Sequence, residues 1–101
     1  MTVKKIFTTD KFDNWFKTIR DLNAKARIKV RIERAKNSNF GDCKFIAEGV
    51  SEMRIHYGAG YRIYFLERGE EIVILLVGGD KSTQSTDIKT ALKLAQELKK
   101  V

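Results

Sequence analysis

Proline is absent from this chain of 101 residues, and cysteine, histidine and tryptophan each occur once. Without proline there is no polyproline spacer, and no Gly/Ser tether, internal repeat or low-complexity tract marks a seam between domains. Cys43 has no partner within the chain, which excludes an internal disulfide framework and a cysteine-built zinc site and agrees with a reducing, cytoplasmic compartment. One histidine among scattered carboxylates is a poor transition-metal site, so neither metal nor cofactor is expected. The longest apolar run, Ile72 to Val77, falls far short of the roughly 20 residues that a membrane-spanning helix needs. The basic start, Met1-Thr2-Val3-Lys4-Lys5-Ile6-Phe7, never reaches the apolar stretch of a signal peptide, so export is not expected either.

What remains suits a single domain over residues 1–101. Hydrophobic residues make up 43% and charged residues 33%, which is too apolar for a disordered chain. Lys and Arg number 20 against 13 Asp and Glu, and the net charge of +7 favours polyanionic partners such as RNA, DNA, ribosomes or an acidic protein.

The hydrophobic spacing predicts the order strand, two helices, four strands, helix. Val3 to Thr8 reads as a β-branched strand. Thr9 or Asp10 offers the cap of a helix reaching about Asp21, with Phe12, Trp15, Phe16, Ile19 and Leu22 on one stripe. Asn23 is the expected cap of a second helix over Ala24 to Lys36. There, Ala26, Ile28, Val30 and Ile32 alternate with Arg27, Lys29 and Arg31 at the strand period, but strong helix formers and the helical spacing of Ile28, Ile32 and Ala35 favour helix. After the turn formers Asn37 to Asp42, strands are expected over Cys43 to Glu48, Ser51 to Tyr57, Tyr61 to Arg68 and Glu71 to Val77. Their short connections imply an antiparallel meander. Gly78-Gly79-Asp80 is expected to break the last strand, which is apolar on both faces. Ile88, Ala91, Leu92, Ala95 and Leu98 predict a closing helix from about Ser85 to Lys100.

Strand parity separates Met53, Ile55 and Tyr57 from Glu52, Arg54 and His56, and Ile63 and Phe65 from Arg62 and Tyr64. If the hairpin closes through Gly58-Ala59-Gly60, then Arg54, His56, Arg62 and Tyr64 share one sheet face. Such a face is either simply wet or a seat for RNA, where guanidinium groups fork onto phosphate and aromatic rings stack on bases. Cleaving RNA through its own 2′-hydroxyl needs a proton acceptor, a proton donor to the 5′-oxygen and cations for the phosphorane, which a histidine among arginines can supply. The basic flank Lys25, Arg27, Lys29, Arg31, Arg34 and Lys36 is either solvated or a nucleic-acid docking surface. The segment Gly78 to Gln84 lacks the spacing of a nucleotide-binding P-loop.

The stretch Gly49-Val50-Ser51-Glu52-Met53-Arg54-Ile55-His56-Tyr57-Gly58-Ala59-Gly60-Tyr61-Arg62-Ile63-Tyr64-Phe65 and the stretch Leu75-Leu76-Val77-Gly78-Gly79-Asp80-Lys81-Ser82-Thr83-Gln84 resemble HigB-type addiction-module killer proteins of the RelE/ParE toxin superfamily. The resemblance covers essentially the whole chain. It implies an α+β, RelE-like fold, with an antiparallel meander, two N-terminal helices packed on one face and a C-terminal helix. It further implies a toxin of a type II toxin–antitoxin system that enters the ribosomal A site and cleaves mRNA without metal. A HigA-like helix-turn-helix antitoxin would neutralise it, and operator DNA would be met only through that antitoxin.

The catalytic positions that match are Arg54, His56, Arg62, Lys81 and Gln84, with Tyr64, Lys25 and Lys29 as RNA contacts. Carried over, Arg62 holds the scissile phosphate, His56 or Lys81 moves protons, and Arg54 stabilises transition-state charge. The chain departs from the RelE pattern in placing His56 where lysine is common and in having Gln84 and Asp87, not tyrosine, near the start of the last helix. A ParE-like gyrase inhibitor on the same fold and a non-catalytic RNA- or ribosome-binding module are the alternatives.

Overall fold

A computed structural model describes residues 3–99. The chain runs β1 (Lys5–Thr8), α1 (Asp10–Thr18), α2 (Leu22–Lys36), β2 (Cys43–Ala47), β3 (Val50–Ile55), β4 (Tyr61–Arg68) and β5 (Ile72–Gly79). A single 3-10 turn, Lys81–Thr83, then leads into α3 (Gln84–Lys99). The expected order of elements is borne out. Lys100, the expected last residue of the closing helix, lies outside the described residues.

The strands lie in the order β1-β5-β4-β3-β2. β2 to β5 form the antiparallel meander, while β1 joins β5 in parallel and makes the sheet mixed. Both faces are covered. On one, Phe12, Ile19, Ala24, Ile28 and Ala35 of the α1–α2 region pack with Met53, Ile55, Ile63, Phe65, Val73 and Leu75. On the other, Ala91 and Ala95 of α3 pack with Val50, Tyr64, Leu66, Ile74, Leu76 and Val77. This double cover explains the unbroken apolar run of β5. At the irregularity between Tyr64 and Phe65 the β5 partners step from Val77 to Leu75, and both Leu76 and Val77 face α3. No helix among the described residues is long and apolar enough to cross a membrane.

Local chemistry accounts for the boundaries. Thr9 caps α1 by accepting from Phe12 N at 3.1 Å, and its hydroxyl donates to the Leu76 carbonyl at 2.6 Å, fixing the helix to β5. The helix stops at Thr18 because Ile19 is already extended, earlier than the expected Asp21. Asp21, not Asn23, caps α2: its Oδ1 accepts from Asn23 N at 2.9 Å and Ala24 N at 3.2 Å. In α2 the helical period prevails over the alternation, with Ala24, Ile28 and Ala35 buried and Val30 48% exposed. β3 ends at Ile55, short of the expected Tyr57.

The Gly78-Gly79 pair does not break β5 but completes it. A Cβ at Gly78 would lie 2.0 Å from Trp15 Cε3, and one at Gly79 would lie 1.8 Å from Asp87 Oδ2. The missing side chains admit the indole of α1 on one face and the Asp87 carboxyl of α3 on the other. Gly78→Ala therefore overpacks this contact, and urea denaturation is expected to show a loss of about 3 kcal/mol.

Candidate functional site

Glu52 on β3 is 0% exposed and carries the centre of the site. Its Oε1 accepts from Arg54 Nε and from Arg62 Nη1, each at 2.9 Å, and its Oε2 accepts from Gln84 Nε2 at 2.9 Å. Two periodicities bring these groups together. Arg54 follows Glu52 by two residues and so shares its face, and the antiparallel register sets Arg62 of β4 directly across from Arg54. Gln84 arrives from the other direction, as the first residue of α3. Burial alone would raise the Glu52 pKa, but the hydrogen bonds from Arg54 and Gln84 and the charge of Arg62 outweigh it, holding the carboxyl below its ordinary range. The same contact raises the Arg54 pKa.

His56 stands just beyond the end of β3, 72% exposed, with Nε2 at 2.5 Å from Asp42 Oδ2. The histidine, followed by the charges of Arg54 and Arg31, helps hold the Asp42 pKa below its usual value. Arg31 of α2 fixes this corner from behind. Its Nη1 donates to the Arg54 carbonyl, and its Nη2 donates to the carbonyls of Phe40 at 2.9 Å and Asp42 at 3.2 Å. Lys81 is exposed in the turn before α3, where its backbone N–H donates to the Ala59 carbonyl. Its stem covers Gly60, whose φ of +78° and absent Cβ make room for Lys81 Cγ, which would lie 2.9 Å from any Cβ there.

The expected residues therefore divide. Arg54, Arg62 and Gln84 meet on Glu52, and Asp42 links His56 to the field of Arg54. Lys81 is fixed to the β3–β4 turn. Tyr64 is 0% exposed beneath α3, so its ring is not available to stack on RNA, correcting the expectation from parity. Parity placed it on the right face, but α3 covers that part of the face. Its hydroxyl has no hydrogen-bond partner among the described residues, and burial, followed by the nearby Glu52 charge, pushes its pKa up. Lys25 and Lys29 lie elsewhere, with their ammonium groups 5.0 and 5.9 Å from the centre of the Phe16 ring, and neither forms an ion pair with the Glu52 cluster.

Beside His56 a groove of about 530 Å³ opens between α2 and the end of β3. It is lined by Asn23, Ala26, Arg27, Val30, Arg31, Arg34, Ile55, His56 and Tyr57. Arg27 lies 4.6 Å from the centre of the Tyr57 ring, and the Tyr57 hydroxyl donates to Asp21 Oδ2 at 3.0 Å. Among the described residues no group of three or more His, Cys, Asp or Glu side chains is placed to hold a metal ion. The side chains at hand are guanidinium, ammonium and imidazole, suited to an anionic ligand and to proton exchange with it.

The family model described as "Phage derived protein Gp49-like (DUF891)" matches residues 10–100. The chain belongs to this family. The Gp49-like proteins are toxin–antitoxin toxins related to the RelE/ParE group, and the family implies a cognate antitoxin partner. An "Uncharacterized protein" of Haemophilus influenzae (strain ATCC 51907 / DSM 11121 / KW20 / Rd) is 51% identical over 98 residues, 97% of this chain and 98% of that protein. No solved structure matches the chain.

In this Gp49-like protein the residue absent from the sequence-based set is Glu52, together with Asp42. Glu52 carried a signal: it is the one carboxylate sharing strand parity with Arg54 and His56, and a lone acid among cations is a natural counterion. Asp42 carried none, because it lies in a turn and reaches His56 only through tertiary structure. The Glu52 pKa is depressed on folding, so its contribution to stability is complete above the unfolded value of 4.5 and disappears as pH falls through the lower folded value. Urea denaturation of wild type and Glu52→Gln should differ by about 2 kcal/mol at neutral pH, and that gap should close under acid conditions.

Proposed function

We propose that this Gp49-like protein is a HigB-type toxin of a type II toxin–antitoxin system, a cytoplasmic, metal-independent endoribonuclease that cuts mRNA on the ribosome. The observation that carries this reading is the pairing of two guanidinium groups on one buried carboxylate, next to an exposed His56–Asp42 pair. A binding surface needs only positive charge, whereas in-line RNA cleavage also needs a group that exchanges protons beside that charge.

In the proposed reaction the 2′-hydroxyl of the nucleotide attacks its own 3′-phosphorus and gives up its proton. The new O2′–P bond forms, the P–O5′ bond breaks, and the departing 5′-oxygen takes a proton. Arg62 and Arg54 stabilise the charge on the phosphorane, and His56 and Lys81 are the groups assigned to the two proton movements. The net charge of +7 supports docking on ribosomal RNA, with Lys25 and Lys29 as contacts on the α2 flank. A HigA-like helix-turn-helix antitoxin is the proposed partner.

Primer extension on an mRNA in a reconstituted translation reaction tests this. Wild type should produce cuts that vanish when ribosomes are left out, and His56→Ala and Arg62→Ala should each slow them by about a hundredfold or more. An intact message in every lane refutes the nuclease reading and favours gyrase as the target. Ribosome affinity should also fall steeply as salt rises from about 50 to 200 mM, measured by co-sedimentation, and salt-independent binding contradicts an RNA contact.

A further inference from the structure

Buried Glu52 and half-buried Gln84 form a pair that no substrate can touch directly through Glu52, yet both arginines of the site are oriented by it. Arg54 and Arg62 occupy directly opposed positions on β3 and β4, where two like charges repel. They are held together because both donate to the same oxygen, Oε1 of Glu52. The other oxygen is occupied by the Gln84 amide, so the carboxylate cannot rotate without breaking a bond on one side or the other. Each guanidinium has therefore spent a specific donor inward. Arg54 uses Nε and keeps both Nη groups, the forked edge that matches a phosphate. Arg62 uses one Nη1 proton, while its buried Nε has no partner among the described residues, leaving its remaining Nη donors for a ligand. Gln84, expected to be catalytic, directs its amide N–H at Glu52.

We propose that Glu52 and Gln84 are a positioning pair, in which the first residue of α3 locks a buried carboxylate that aims Arg54 and Arg62 at one phosphate. This rests on the nuclease reading above. It assigns Glu52 a role in the reaction that charge alone would not indicate, since a negative group beside a phosphate site weakens binding by itself. It also couples the start of α3, and with it Lys81, to the arginines of the sheet.

A double-mutant cycle in the ribosome-dependent cleavage reaction tests it, with wild type, Glu52→Gln, Gln84→Glu and the combined exchange assayed for kcat and KM and their folding followed by circular dichroism. Gln84→Glu sets two carboxylates against each other, and Glu52→Gln removes the shared counterion. Each should lower kcat by about 30-fold, with KM for the programmed ribosome unchanged within about twofold. The combined exchange restores a carboxylate–amide contact in reverse order, leaving an amide oxygen for the arginines, and should recover kcat at least about tenfold over either single variant.

Single variants that cut as fast as wild type overturn the proposal, as does a combined variant whose loss is the product of the two single losses. If Glu52→Gln is unfolded at the assay temperature, Gln84→Ala decides: a folded protein with kcat reduced at least about fivefold supports the pair, and an undiminished kcat overturns it. A message left intact by wild type refutes the nuclease reading itself and this inference with it.

Discussion

The carboxylate of Glu52, enclosed between two arginines and a glutamine, is the contact on which the arrangement of this face depends. Placing a charge out of water costs several kcal/mol, and only well-directed partners on both oxygens offset that. Here the partners come from β3, β4 and α3, so satisfying one buried group fixes the relation of three elements. A buried ion pair is a weak device for stability, because an apolar replacement of similar shape often does as well. What it supplies here is direction: both arginines are held to one point, which an apolar core could not achieve.

The rest of the site is braced from the opposite face of the sheet. Arg31 extends from α2 to the carbonyls of Arg54, Phe40 and Asp42, so the strand that carries Arg54 and the turn that carries Asp42 are fixed by one side chain. Phe40 is anchored in turn by its ring, stacked on Phe65 with centroids 5.0 Å apart. Burial lowers the Arg31 pKa, opposed by the Asp42 charge, and its donors are directed at backbone carbonyls of the fold. The exposed His56–Asp42 pair thus rests on rigid backbone. Rigid support matters for the proposed chemistry, because small displacements of a reacting group are costly in rate.

Family membership and geometry inform different levels of the conclusion. The match over residues 10–100 establishes a toxin–antitoxin family related to RelE and ParE. A shared fold can host either a nuclease or a binding inhibitor, so the choice between them has to come from the side chains. The paired arginines and the histidine–aspartate contact are the side chains on which the proposed nuclease reading rests.

The order of elements was legible because each has an intrinsic period: three to four residues for the helical stripes of Phe12, Trp15 and Phe16 or Ala91 and Ala95, and two for the strands. Parity likewise put Arg54, His56, Arg62 and Tyr64 on one face; the register of β3 and β4 bears this out for Arg54, Arg62 and Tyr64, with Glu52 beside them, whereas His56 lies just beyond the end of β3. These are local properties, set by how the backbone projects successive side chains. What lay on top of that face was not local. The cover of α3 over Tyr64, the Trp15 and Asp87 contacts that carry β5 through Gly78 and Gly79, and the reach of Asp42 to His56 all join residues of different elements. The sequence by itself determined which side chains share a surface. Only the tertiary structure decided which of them face solvent and which are paired, because burial and hydrogen bonding depend on the elements that pack across the sheet.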